Sequence, residues 1–227
     1  MNVRLACSLA LLLFGSPAVA ADDFIDLRSI RAVNGDPDAV RNKLELCSAC
    51  HGADGSSPVP MLPHLGGLSA EYQYWQLYEF KHAGRPESPM TAIIQTIDEK
   101  DLADYAAYYA SHPPPAPAPL DESEPSPDLA RGGNLYLRGD PDAGVPPCQG
   151  CHGANGEGHP LAAESPYYRT YPRLRGQHAT YVAQRIRDFR DGKLGASSND
   201  RIMESVARDL SDADIAAIAA WLQTGGY

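Results

Sequence analysis

Between Ser69 and Ala83, and again between His178 and Asp191, aromatic and aliphatic residues recur at three- and four-residue spacing. Each stretch therefore predicts an amphipathic helix with one apolar face. Asp36-Pro37 and Ser126-Pro127 each set a capping side chain before a proline at the first helical position, the start signal for a helix running toward Cys47 or Cys148. Asp98 and Ser211 precede the last apolar stretch of each half, with an acid three residues on at Asp101 and Asp214, the pattern of a helix cap. No stretch alternates with period two. The expectation is an all-α fold with long glycine- and proline-rich loops.

The segment His112 to Pro127 interrupts this pattern. It carries seven prolines and almost nothing apolar, so it reads as a semi-rigid polyproline spacer. The portions on either side are related. CSACHG at Cys47 matches CQGCHG at Cys148; PHLGGLSAEYQYWQLYEF from Pro63 aligns with PRLRGQHATYVAQRIRDF from Pro172; MTAIIQ from Met90 aligns with MESVAR from Met203. The offset grows from 101 to 109 to 113 residues, so the second half carries an insertion between Glu157 and Tyr171. The predicted organisation is a leader at 1–20, a first domain at 21–112, a linker at 113–127 and a duplicated second domain at 128–227. Domains this small bury a poor share of their surface and need a staple. A large apolar cofactor in each would complete both cores.

The leader reads MNVRLACSLALLLFGSPAVA: Arg4, a short apolar run to Phe14, then the small residues Ala18, Val19 and Ala20, the order of a secretory signal peptide. The run is too short for a comfortable membrane span. Cys7 lies inside it and is excluded from the chemistry. No later segment is apolar enough to span a bilayer. The expected location is a bacterial-type periplasm, soluble or loosely attached to the membrane surface. The formal charge is −10 with no cationic run, which argues against a nucleic-acid partner.

Four cysteines follow the leader: Cys47, Cys50, Cys148 and Cys151. Disulfides are the ordinary use of cysteine in an oxidising compartment, a thioredoxin-like pair would need a βαβ context, and Zn²⁺ on four thiolates would leave His51 and His152 unexplained. Two CxxCH motifs in a duplicated exported chain instead fit covalent c-type haem, with two thioethers at one porphyrin edge and the adjacent histidine beneath the iron. Such a histidine needs an acceptor for its other ring nitrogen. The paired P-x-L-x-G loops offer the carbonyls of Pro63 and Pro172.

Through both CxxCH motifs, both P-x-L-x-G loops, the helices ending YEF and RDF, the methionine segments and the final helices, the chain resembles dihaem class I cytochromes c of the cytochrome c4 family. The resemblance implies two tandem cytochrome c domains. It implies two covalent haems, with iron held by His51 and Met90 in one and by His152 and Met203 in the other. The departures are the insertion, the proline-rich linker and PHLGG at the first loop.

Methionine scarcity bears on the same choice. After the leader only Met61, Met90 and Met203 remain; Met61 aligns with Thr170 and reads as loop packing. His64, His82, His112, His159 and His178 have no histidine counterparts in the other half and read as loop or surface residues. Arg173 and Arg175 are candidates to pair with a haem propionate. Fourteen acids against seven bases in Asp22–His112, and fifteen against eleven in Leu120–Tyr227, favour a basic docking partner. The function implied is single-electron carriage from a quinol-oxidising or dehydrogenase complex to a terminal oxidase or reductase. The alternatives are a permanent haem subunit of a flavin-linked sulfide or alcohol dehydrogenase and, against the paired methionines, a dihaem peroxidase or thiosulfate dehydrogenase.

Overall fold

A computed structural model of the chain describes residues 24–82, 85–120, 123 and 128–225. The signal-peptide assignment, and Ser126 as a helix cap, lie outside those residues. In chain order the helices are α1 (Glu45–His51), α2 (Ala70–Lys81), α3 (Pro89–Gln95), α4 (Leu102–Ala110), α5 (Leu129–Arg138), α6 (Gln149–His152), α7 (Pro166–Arg169), α8 (Ala179–Arg190), α9 (Ser198–Ala207) and α10 (Asp212–Gln223). Among the described residues there is no strand, only two isolated bridges. The all-α expectation holds.

Helices α2 and α8 fall inside the two amphipathic stretches, and the Ser69 hydroxyl caps α2 by accepting from Tyr72 N–H at 3.1 Å. Ser211 caps α10 as expected, accepting from Asp214 N–H while Asp214 accepts from the Ser211 N–H at 3.2 Å. The first half departs from both start signals. Residues 36–42 form successive turns bonded three residues apart, because Val40 is the one fully buried side chain that segment offers and a helix there would bury too little. Asp98 caps no α-helix: a 3₁₀ turn, Glu99–Asp101, comes first, and Asp101 is drawn to Lys43 at 2.8 Å instead of capping α4. In the second half α5 begins at Leu129 under an Asp128 cap, two residues beyond the proline of the predicted start.

Each half packs an N-terminal segment against its last helix. Gly132 of α5 lies so close to α10 that a Cβ would stand 2.1 Å from the Ala217 carbonyl oxygen, so only glycine permits this crossing. Around it Tyr136, Ile215, Ile218, Trp221 and Leu222 form one core; Val40, Leu44, Tyr105, Tyr108 and Tyr109 form the other.

The halves are held against each other. Arg169, in the insertion, pairs with Glu71 of α2 at 3.0 Å, and its carbonyl accepts from the Ser69 hydroxyl. From the N-terminal side, Ile25 bridges to the strand-like approach to α9: its N–H donates to Ala196 O and its carbonyl accepts from Ser198 N–H, both at 2.9 Å. Within the proline-rich segment, residues 113–120 form neither helix nor strand and lie as a strap rather than a free spacer. His112 O accepts from Gly67 N–H at 2.9 Å, Pro114 covers Gly67, and Pro119 O accepts from Gln223 of α10 at 3.0 Å.

Candidate functional site

Both CxxCH motifs are helical. Cys47, Cys50 and His51 lie on α1, and Cys148 begins the turn that continues through Cys151 and His152 of α6, so one helical turn brings two sulfurs and a ring to the same side. In each half the helix ends in a glycine at positive φ (Gly52, 77°; Gly153, 82°), where the chain turns back over the site. Tyrosine hydroxyls fix that return: Tyr108 donates to Ala53 O at 3.1 Å and Tyr136 to Gly153 O at 2.7 Å. The two donors come from different helices, so alignment of the halves does not reveal the shared role.

His51 and His152 are buried. Their Nδ1 atoms lie 2.9 Å from Pro63 O and 3.0 Å from Pro172 O. A carbonyl only accepts, so each Nδ1 carries the proton and each Nε2 presents a lone pair. Burial lowers the pKa of both rings, against the partial support of these bonds, which keeps them neutral as a metal ligand requires. Nε2 of His152 is fully buried with no hydrogen-bond partner. A buried imidazole nitrogen without a partner is costly unless something occupies its lone pair.

That something has room. A cavity of about 840 Å³, walled mostly by apolar side chains, is lined by Cys47, Cys50, His51 and Met90 and continues to Cys148, Cys151, His152 and Met203. His51 and His152 are the histidines on its wall; His64, His82, His112, His159 and His178 are elsewhere among the described residues. His82 faces Glu99, His112 Nδ1–H donates to Tyr108 O at 2.9 Å, His159 stacks on Tyr168, and His64 and His178 lie ring against ring across the interface at 4.0 Å. Burial pushes the Cys148 thiol up to about 11 and raises Cys47 and Cys151 as well, and among the described residues no three His, Cys, Asp or Glu side chains converge on a cation site. The donor set and the cavity fit haem.

The methionines arrive on different supports. Met90 is the second residue of α3, just inside Pro89, and the Ser88 N–H donates to the Thr91 hydroxyl at 3.2 Å. Met203 sits further along α9, whose cap is the Ser197–Asp200 box. Ile94 is buried, and it lines the cavity together with Met90 and Ile93. The loop-packing assignment of Met61 is corrected: the turn closed by Leu62 N–H on Val59 O throws it outward, 73 % exposed at the cavity rim. Arg173 lines the cavity with a buried Nε lacking a partner, its pKa lowered by burial and then by Arg175. Arg175 lies instead in a small recess beside Pro114 and Pro115.

Sequence reading missed two cations. Lys81 Nζ donates to Ile94 O at 3.2 Å and Ile97 O at 2.6 Å, closing the end of the helix that carries Met90. Arg190, at the aligned position, donates to Leu210 O at 3.2 Å beyond the helix that carries Met203. The signal available was a basic residue at the same aligned site in both halves.

Two neutral, carbonyl-anchored CxxCH histidines on a shared apolar cavity define a c-type cytochrome with two haems. Residues 130–226 match the Cytochrome c family model. A cytochrome c4 of Pseudomonas aeruginosa is 38 % identical over 200 residues, which cover 88 % of this chain and 93 % of that protein. A thiosulfate dehydrogenase electron acceptor of Thiomonas intermedia is 33 % identical, covering 78 % of this chain and 76 % of that one. The crystal structure of reduced cytochrome c4 from Pseudomonas stutzeri superposes with a TM-score of 0.69 at 36 % identity, covering 84 % of this chain and 98 % of that one. The chain belongs to the cytochrome c4 family. It is a dihaem electron-transfer cytochrome carrying two covalent c-type haems.

Proposed function

We propose that this cytochrome is exported to the periplasm and passes single electrons from a quinol-oxidising or dehydrogenase complex to a terminal oxidase or reductase. In this reading Cys47 and Cys50 hold one haem and Cys148 and Cys151 the other, within domains spanning 21–112 and 128–227 joined by the linker at 113–127. When bound, each haem iron cycles by one electron between its ferric and ferrous states. The chain's part is to keep that change cheap. Pro63 and Pro172 carbonyls hold the His51 and His152 rings in one orientation with Nε2 free to ligate. Met90 and Met203 would supply thioether ligands, which raise a haem potential and disfavour peroxide chemistry. The apolar walls exclude water, which limits reorganisation around the added charge.

The observation that carries this reading is the presence of both CxxCH histidines and both aligned methionines on one apolar cavity. A dehydrogenase as donor gains support from the relative named as a thiosulfate dehydrogenase electron acceptor. Contacts with either partner are expected to be small and transient. Stopped-flow mixing tests the assignment. Oxidised protein should be reduced within the turnover time of a thiosulfate dehydrogenase or a quinol-oxidising complex, and reoxidised by an oxidase. A protein that co-purifies permanently with a dehydrogenase would make it a fixed subunit, and one that turns over thiosulfate or peroxide alone would make it an enzyme.

A further inference from the structure

Glu79 and Asp188 occupy the same aligned position, the acid of YEF and of RDF. Both are buried, and each holds an arginine that lines the cavity: Arg85 Nε donates to Glu79 Oε2 at 3.2 Å, and Arg185 pairs with Asp188. What else reaches the two carboxyls differs. Asp188 is amply served, with Gln184 donating to Oδ1 at 2.8 Å and the Lys193 ammonium ion-paired with it at 3.6 Å.

Glu79 is 1 % exposed, its Oε1 has no hydrogen-bond partner, and Gln76 reaches Oε2 only at 3.5 Å. From the other half, Asp200 and the Ser197 hydroxyl face it across the interface, and Asp200 is itself buried in the cap of α9. The charged and titratable groups around it are thus Arg85 and Tyr72 from its own half and Asp200 from the second. Tyr181 and Arg185 act beyond the guanidinium. Arg85 is also spread over the Phe80 ring at 5.0 Å. Arg85 is thus the one cation bonded to Glu79 while a second buried carboxylate, Asp200, lies near enough to repel it, and a buried negative charge so placed is expensive enough that a proton readily replaces it. Burial pushes the Glu79 carboxyl up to about 7, opposed by the Arg85 charge, reinforced by Asp200 and again opposed by the Ser197 hydroxyl.

We propose that Glu79 is a proton-binding site coupled to reduction, taking up one proton when an electron enters the cavity that Arg85 lines and releasing it when the electron leaves. The inference rests on the dihaem carrier reading above. The balance is one electron from the donor protein and one proton from solvent. The bond formed is O–H on Glu79 Oε1, no bond in the protein breaks, and oxidation by the acceptor reverses both. Coupling is reciprocal: an added electron raises the proton affinity of Glu79 by the same free energy by which the proton raises the potential.

The experiment is a redox titration of the holoprotein from about pH 5 to about pH 9, spanning the displaced carboxyl. The potential of one haem should fall as pH rises through neutrality, by at most about 59 mV per tenfold drop in proton concentration. Glu79→Gln should abolish that slope, and Asp200→Asn should move it to lower pH, with both methionine-to-iron bands kept. Bands kept with the slope unchanged in Glu79→Gln would assign it to haem propionates and overturn the proposal; absent bands would instead fail the dihaem reading. A wild-type infrared difference spectrum should show a protonated carboxylic C=O stretch gained on reduction. Its absence overturns the proposal without any variant.

Discussion

At the residue scale the site rests on two imidazoles whose Nδ1–H is committed to a proline carbonyl. Proline suits this because its ring holds the backbone stiff while its carbonyl stays free to accept. The CxxCH motifs, Pro63 and Pro172 were all legible in the sequence, because a covalent haem demands residues at fixed spacing and duplication repeats them. Met90→Ala should remove one methionine-to-iron absorption band and lower one potential, and Met203→Ala should do the same for the other haem. Met61→Leu should leave both bands, since that side chain points outward at the rim. Optical redox titration of the three variants distinguishes them. The outward turn of Met61 was illegible beforehand, because nothing in PVPML distinguishes a buried methionine from an exposed one.

At the element scale, the helices that carry the methionines depend on cations lent by their neighbours. Lys81 of α2 and Arg190 of α8 reach the carbonyls that end the methionine segments, where a positive charge and N–H donors satisfy groups a helix leaves unpaired. Lys81→Ala should cost about 1.5–3 kcal/mol in denaturant unfolding, the worth of a charge-assisted hydrogen bond, and should broaden the Met90 band first. Gly132→Ala should cost about 1–3 kcal/mol, because α5 must move off α10 to admit the methyl. Periodicity located α2 and α8 within two residues; α8 turns Val182 and Ala183 into the core, whereas α2 buries Glu71, Gln73 and Glu79 and turns Tyr72, Trp75 and Phe80 to the cavity. It misplaced the first-half starts because a cap and a proline open a helix only when enough apolar surface follows. Asp36-Pro37 is followed by Asp38, Arg41 and Asn42, and turns result.

At the scale of the whole molecule, the duplicated sequence predicted two domains and a spacer but not the way they interlock. An interface between halves leaves little trace in one chain, since its residues need only match one another. His64 and His178 stack across it, Gln177 accepts from the His64 N–H at 2.9 Å and donates to its carbonyl at 3.0 Å, and the Ser57 N–H donates to His64 Nδ1. The His64 pKa is depressed to about 4 by burial and by His178, so its neutral form is favoured in the packed state. The unfolded chain then binds more protons than the folded one between that value and the ordinary histidine range. Stability contributed here is intact above about pH 6.5 and is lost as pH falls toward 4. His64→Gln should flatten the fall in unfolding free energy over that window relative to wild type, measured by denaturant titration at each pH; an equal fall would remove His64 as the cause.

The proposed carrier would hold two irons, one with His51 and Met90 and the other with His152 and Met203. A visible-spectrum redox titration of the purified holoprotein tests this most directly. The prediction is two low-spin c-haems per chain, each with a methionine-to-iron band in the oxidised state, titrating as two one-electron steps. A single haem per chain, a missing band, or rapid cyanide binding at neutral pH would contradict it.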